Sequence, residues 1–175
     1  MRDPWVMKHP YKNKFIMAYT ARASINNDPY QCGVIGMAES NDLYEWKSTK
    51  PLFGGFFSQL EVPQIFKVAN KWYCLFCNHP EDWSDEFKKN YNGPNKRGTH
   101  YLIADKFEGP WNLAPGPYLT TSSEIELYAG RILEKDNKFF FMAFLHDDKD
   151  GNFIGEISDP IPINFDKNGL MSLEI

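Results

Sequence analysis

Cysteine is scarce: Cys32, Cys74 and Cys77 are the only three in 175 residues. An odd and small number cannot build a disulfide framework. Cys74 and Cys77 have the spacing of a metal knuckle, but they sit in the strand-like run Trp72-Tyr73-Cys74-Leu75-Phe76-Cys77. Side chains three apart on a strand point to opposite faces, so these two are expected as separate buried free thiols, with no metal and no cofactor. Long apolar runs are missing too. None reaches the length of a bilayer-spanning helix, and no secretory leader is visible. Free thiols without a leader favour the cytoplasm, and a secreted location stays open if a segment precedes Met1. There is no excess of base, since 19 Lys and Arg face 23 Asp and Glu for a net charge of −4. Nucleic-acid and polybasic membrane partners, which need clustered cations, are excluded on that ground. The one basic cluster, Lys88-Lys89 to Lys96-Arg97, lies among Asn, Gly and Pro and is expected as a solvated loop. Helical periodicity is weak throughout, and only Trp83 to Asn90 reads as a helical turn.

What the chain has in quantity is aromatic, β-favouring runs punctuated by 12 Gly and 12 Pro. Three of these runs resemble one another: Lys14-Phe15-Ile16-Met17-Ala18-Tyr19, Lys71-Trp72-Tyr73-Cys74-Leu75-Phe76 and Lys138-Phe139-Phe140-Phe141-Met142-Ala143-Phe144. Each is preceded by a shorter apolar run and a turn, such as Ala69-Asn70 or Asp136-Asn137, which reads as a β-hairpin. Each is followed by a third run opening on glycine (Gly33, Gly98, Gly151), then by a turn and an aromatic residue such as Trp46 or Trp111. Because these two tryptophans recur at one position, they are read as packing residues. The blocks span about residues 2–55, 60–118 and 124–170 of a single domain, 1–175. Four antiparallel strands per repeat make a propeller blade, so the fold class is all-β. Propellers typically carry four to eight blades, and three do not close a ring. Open blade edges invite pairing, so the chain is expected either to belong to a longer protein or to self-associate as a homo-oligomer.

Carboxyl groups recur at the heads of the blocks: Arg2-Asp3-Pro4, Glu61-Val62-Pro63 and Glu124-Ile125-Glu126. A radial array of strands brings its strand heads to one central pocket, and two carboxylates converging on one bond are the minimal apparatus of glycoside hydrolysis. Asp3 and Glu61 are two of the carboxyl groups so placed. Glu61 follows Phe56-Phe57 and precedes an apolar run, where an unpartnered charge would be costly to bury. Candidate substrate contacts are Arg2 beside Asp3, Trp5 by alternation onto the face of Asp3, Glu126 at the head of the third block, and His79 at the end of the second block's second strand. Arg131, within an apolar run, calls for a partner. His146-Asp147-Asp148 reads as part of a hairpin turn, because its spacing does not fit a calcium loop.

Arg2-Asp3-Pro4 resembles the R-D-P motif of glycoside hydrolase family 32, the invertase, levanase and fructanase group. Glu61-Val62-Pro63 resembles its E-C-P motif, with valine in place of cysteine, and Ala38-Glu39-Ser40-Asn41-Asp42-Leu43-Tyr44-Glu45-Trp46 resembles a blade ending shared by families 32 and 43. The resemblance implies a five-bladed β-propeller of which about three four-stranded blades lie in this chain. It implies a β-fructoside substrate of the sucrose, levan or inulin type and a retaining mechanism. Asp3 would be the transition-state stabiliser and Glu61 the general acid/base. The family's nucleophile is an aspartate in an N-D-P-like motif of the first blade, which would lie upstream of Met1 and leave this chain by itself inactive. Asn27-Asp28-Pro29 spells that motif but falls in a loop and reads as turn chemistry. Two alternatives stand beside this reading: a non-catalytic carbohydrate-binding propeller, and a family 43-like arabinofuranosidase or xylosidase.

Overall fold

Side-chain alternation and turn chemistry together cut the chain into short antiparallel strands, and in the computed structural model, described over residues 1–23 and 28–175, these form three sheets. The first holds β1 (Arg2–Lys8), β2 (Phe15–Arg22), β3 (Gly33–Ser40) and β4 (Lys47–Ser48) in that order, with β5 (Phe53–Gly54) also on β3. The second is β6 (Glu61–Val68), β7 (Lys71–Asn78), β8 (Gly98–Ala104) and β9 (Asn112–Leu113). The third orders β10 (Leu127–Lys135), β11 (Lys138–Asp147), β13 (Ile161–Phe165) and β14 (Met171–Leu173), while β12 (Phe153–Ile157) pairs with the far end of β11. All neighbours are antiparallel, as the blade reading expects. The third blade departs in one respect. Its glycine-led run forms only the short β12, and the run after it, not the third run, pairs with β11 at Phe140 and Phe141.

Each first strand breaks its ladder near its head. The register slips between Arg2 and Trp5, between Glu61 and Gln64, and between Tyr128 and Arg131. At each slip a non-glycine residue takes a left-handed backbone: Asp3 at φ 54°, Val62 at 52° and Ala129 at 51°. That conformation is unfavourable by about 1–2 kcal/mol for an L-residue. The next residue is Pro4, Pro63 or Gly130, so the first two slips need no ladder N–H from it. The bulge defines equivalence between the blades and corrects the sequence alignment. Arg2, Glu61 and Tyr128 occupy one position, and Trp5, Gln64 and Arg131 another. Glu126 precedes β10 and is not the counterpart of Glu61.

The blades pack face to face through two apolar layers. Ile16, Ala18, Ile35 and Met37 of the first blade meet Trp72, Cys74, Phe76 and Leu102 of the second. Tyr73, Leu75 and Tyr101 of the second meet Ile132, Phe141 and Ala143 of the third. β7 is therefore covered on both faces, and each large side chain in it contributes about 1.5–3 kcal/mol of burial. Cys74 and Cys77 are buried and free. Burial pushes the Cys77 thiol up to about 11. Trp111 and Trp46 each bond back to a carbonyl of their own turn, Phe107 and Leu43, at 3.0 Å.

Two local expectations change. The basic cluster is not simply a solvated loop: Lys88 and Lys89 end the helix α1 (Asp85–Asn90), but Lys96 Nζ donates to the Ser123 carbonyl at 2.6 Å and Arg97 enters an ion-pair cluster. His146 and Asp147 belong to β11, and the turn itself is organised by Asp148, which accepts from the backbone N–H groups of Asp150 and Asn152.

Candidate functional site

The heads of β1 and β6 lie side by side, and the bulges turn their polar side chains toward each other. Arg2 joins the two strands. Its Nη2 donates to Glu61 Oε1 and, at 2.6 Å, to Gln59 Oε1, while its Nε stands 3.4 Å from Asp3 Oδ2. Asp3 Oδ2 also accepts from Thr20 Oγ1 at 2.9 Å and from the backbone N–H of Val62 at 3.3 Å. Thus the motif aspartate of the first blade is hydrogen-bonded to the bulge of the second. The other oxygen of Glu61 accepts from the phenol of Tyr128, at the equivalent position on β10. The Glu61 side chain is 16 % exposed and that of Asp3 27 %, so both carboxylates keep an open side.

The electrostatics follow from this packing. Partial burial works against the Arg2 charge, but the hydrogen bond and field of Glu61, followed by the field of Asp3, outweigh it and hold its pKa above the ordinary arginine value. Burial first, then the field of Cys77 and the bond to Glu61, push the Tyr128 phenol far above the tyrosine range. Tyr128 therefore stays protonated and acts as a donor to Glu61. Arg131 lies one step below: its Nη1 donates to the Val62 carbonyl and its guanidinium carbon is 5.7 Å from the Trp5 ring. Its partners are thus a carbonyl and an aromatic face rather than an acid. Desolvation lowers its pKa.

The expected residues separate into two groups. Arg2, Asp3 and Glu61 come together, and His79 joins them through its ring, 5.0 Å from that of Tyr128. Trp5 is half-buried beneath them. Its Nε1 donates to the Ile65 carbonyl at 3.1 Å and its ring packs on the first apolar layer. Glu126 goes elsewhere, pairing with Arg97 Nε at 2.9 Å in a cluster that includes His146 and Asp147. The ligand atoms of Glu126, His146 and Asp147 lie within 4.8 Å of one another, and Arg97 is the cation this cluster already holds. Asp28 caps the short turn Pro29–Gln31 by accepting from Tyr30 N at 2.9 Å, and Asn27 lies outside the described residues.

Two contributors escaped sequence reasoning: Tyr128 and Gln59. For Tyr128 a signal existed, since Tyr128-Ala129-Gly130 parallels Arg2-Asp3-Pro4 and Glu61-Val62-Pro63 once the bulge is recognised. A cleft of about 370 Å³ lies away from all these groups, between the outer parts of the first two blades and lined by Met37, Leu52, Phe107 and Trp111.

No family model matches the chain, and no curated protein matches it. Solved structures do. An inulosucrase from Halalkalicoccus jeotgali bound to kestose superimposes with a TM-score of 0.79 at 18% identity, over 98% of this chain and 49% of that one. A levansucrase from Bacillus subtilis gives 0.70 at 16% identity, over 99% of this chain and 49% of that one. A mutant levansucrase from B. megaterium gives 0.72 at 15% identity, over 99% and 48%. The chain spans about half the length of these proteins, and at such identities the likeness is one of fold: the three sheets are the blades of a β-propeller of the kind those solved structures have.

Proposed function

We propose that this chain carries the acid/base portion of a glycosidase site for a furanoside, with a β-fructoside of the sucrose, levan or inulin type as the substrate. One observation carries the reading. Asp3 and Glu61, from the heads of adjacent inner strands, are held at one place by Arg2, and each keeps an open side. In this reading Glu61 protonates the leaving oxygen, and Asp3 supplies negative charge to an oxocarbenium-like transition state and holds sugar hydroxyls. Arg2 and His79 contact the sugar. The retaining route requires a nucleophilic carboxylate besides Asp3 and Glu61, and the succession of Arg2-Asp3-Pro4 and Glu61-Val62-Pro63 supports family 32 chemistry over a family 43-like inverting enzyme. Propeller likeness to proteins named as levansucrase and inulosucrase supports a fructoside.

Replacing Glu61 by Gln in the whole protein tests this. Activity on a fructoside with a poor leaving group is expected to fall by about 10²–10⁴-fold, and on an activated leaving group by much less. Equal activity in the variant would sink the assignment. A second reading, a sugar-binding propeller without turnover, is favoured by the ties on Glu61, whose two oxygens each already accept one hydrogen bond. Calorimetric binding of a fructo-oligosaccharide without product formation would select it.

A further inference from the structure

Asp82 stands in the short turn Pro80–Asp82 after β7, outside every strand, yet only 6 % of it is exposed. A buried carboxylate needs donors, and Asp82 has them. Its Oδ1 accepts from the Ser58 hydroxyl and, at 3.0 Å, from Gln59 Nε2, and its Oδ2 accepts from His79 N at 3.3 Å. The backbone joins in, since Ser58 N donates to the Asp82 carbonyl at 2.7 Å. The far end of Gln59 is the Oε1 that accepts from Arg2 Nη2.

A side-chain amide has two unlike ends, and an ionised carboxylate can only accept. Asp82 therefore dictates that the NH₂ of Gln59 faces it, which leaves the amide oxygen facing Arg2. A flipped amide would set oxygen against oxygen at Asp82 and NH₂ against guanidinium at Arg2. Arg2 is a long, half-exposed side chain whose free rotamers would scatter its charge. We infer that Asp82 is a positioning residue which, through the orientation of Gln59, fixes the guanidinium of Arg2 and with it the hydrogen bond that Arg2 gives to Glu61. The geometry stands by itself, and the catalytic consequence rests on the function proposed above.

The test is Asp82→Asn in the whole protein, read by two independent measurements. An asparagine can present either an oxygen or an NH₂ to Gln59, so the amide is no longer held one way. In ¹⁵N spectra the Gln59 side-chain amide pair is expected to move toward free-amide positions, and the Arg2 Nε–H signal to shift with it. In kinetics kcat/KM for a fructoside falls about tenfold, mainly through KM, the size of one charge-assisted hydrogen bond. Ser58→Ala, which removes a donor from Asp82 but leaves Gln59 bonded, is expected to keep both readouts near wild type. Unmoved Gln59 and Arg2 signals in Asp82→Asn would overturn the inference whatever the activity, as would an equal loss in Ser58→Ala. Moved signals in a protein that turns over no fructoside would support the positioning and place the failure with the proposed function. Should Asp82→Asn not fold, Gln59→Leu must shift the Arg2 signal, and an unshifted one overturns the relay.

Discussion

Glu61 illustrates how much of a site is decided by its neighbours' chemistry. A carboxylate is acceptor-only when ionised, and here its two oxygens are served by two donors that differ in kind: a cation from β1 and a neutral phenol from β10. Tyr128 serves as a donor across the accessible pH range because its own ionisation is suppressed by burial. Tyr128→Phe removes the hydroxyl while preserving the ring against His79. If the proposed function holds, kcat/KM is expected to fall about tenfold, as for one lost hydrogen bond to a charged group, with the fold unchanged by circular dichroism. Undiminished turnover would exclude Tyr128 from the site.

At the scale of elements, the repeated bulge organises the heads of the inner strands and the position below it stitches blade to blade. Trp5, Gln64 and Arg131 are equivalent by register, and each bonds to backbone of a neighbouring blade. Gln64 is the most complete of the three. It is 4 % exposed, donates to the Ile132 carbonyl at 2.9 Å and accepts from Ile132 N at 2.7 Å, so one amide closes both halves of a missing ladder pair between β6 and β10. Gln64→Leu keeps the volume but leaves a buried N–H and C=O unpaired. It is expected to destabilise the chain by about 3 kcal/mol, seen as a lower denaturant midpoint. A loss under about 0.5 kcal/mol would show that the blades do not depend on this bond.

For the whole molecule, the two apolar layers bury one face of the first blade, both faces of the second and one face of the third. The other face of the third blade leaves Leu133, Phe153 and Ile157 exposed. Stability also has a built-in pH dependence. His100 is 1 % exposed, its Nε2 lies 3.0 Å from the Ala114 carbonyl, and its ring stacks on Tyr118 at 4.7 Å. Burial lowers its pKa from 6.5 to about 4. The unfolded chain takes up this proton below its own pKa, whereas the folded chain refuses it until about pH 4. This contribution is therefore fully present above pH 6.5 and is lost between 6.5 and 4, by up to about 3 kcal/mol. Denaturant midpoints measured at pH 7 and pH 5 should differ accordingly in the wild type and differ less in His100→Gln. An equal difference in both proteins would assign the acid sensitivity to other groups.

What the sequence determined by itself is what depends on local physics. Alternation with a period of two, together with turn residues such as Ala69-Asn70 and Asp136-Asn137, specified the hairpins and the blades. It also set Cys74 and Cys77 apart and placed Asp3 and Glu61 at strand heads. Tertiary structure alone decided the rest. A bulge adds one residue without disturbing the apolar pattern, so the pattern pairs Glu126 with Glu61 where the backbone pairs Tyr128 with it. Gln59, Asp82 and Arg97 sit in loops, where no periodicity constrains a side chain. Their partners lie tens of residues away along the chain, and only the packing of one blade on the next brings them within hydrogen-bonding distance.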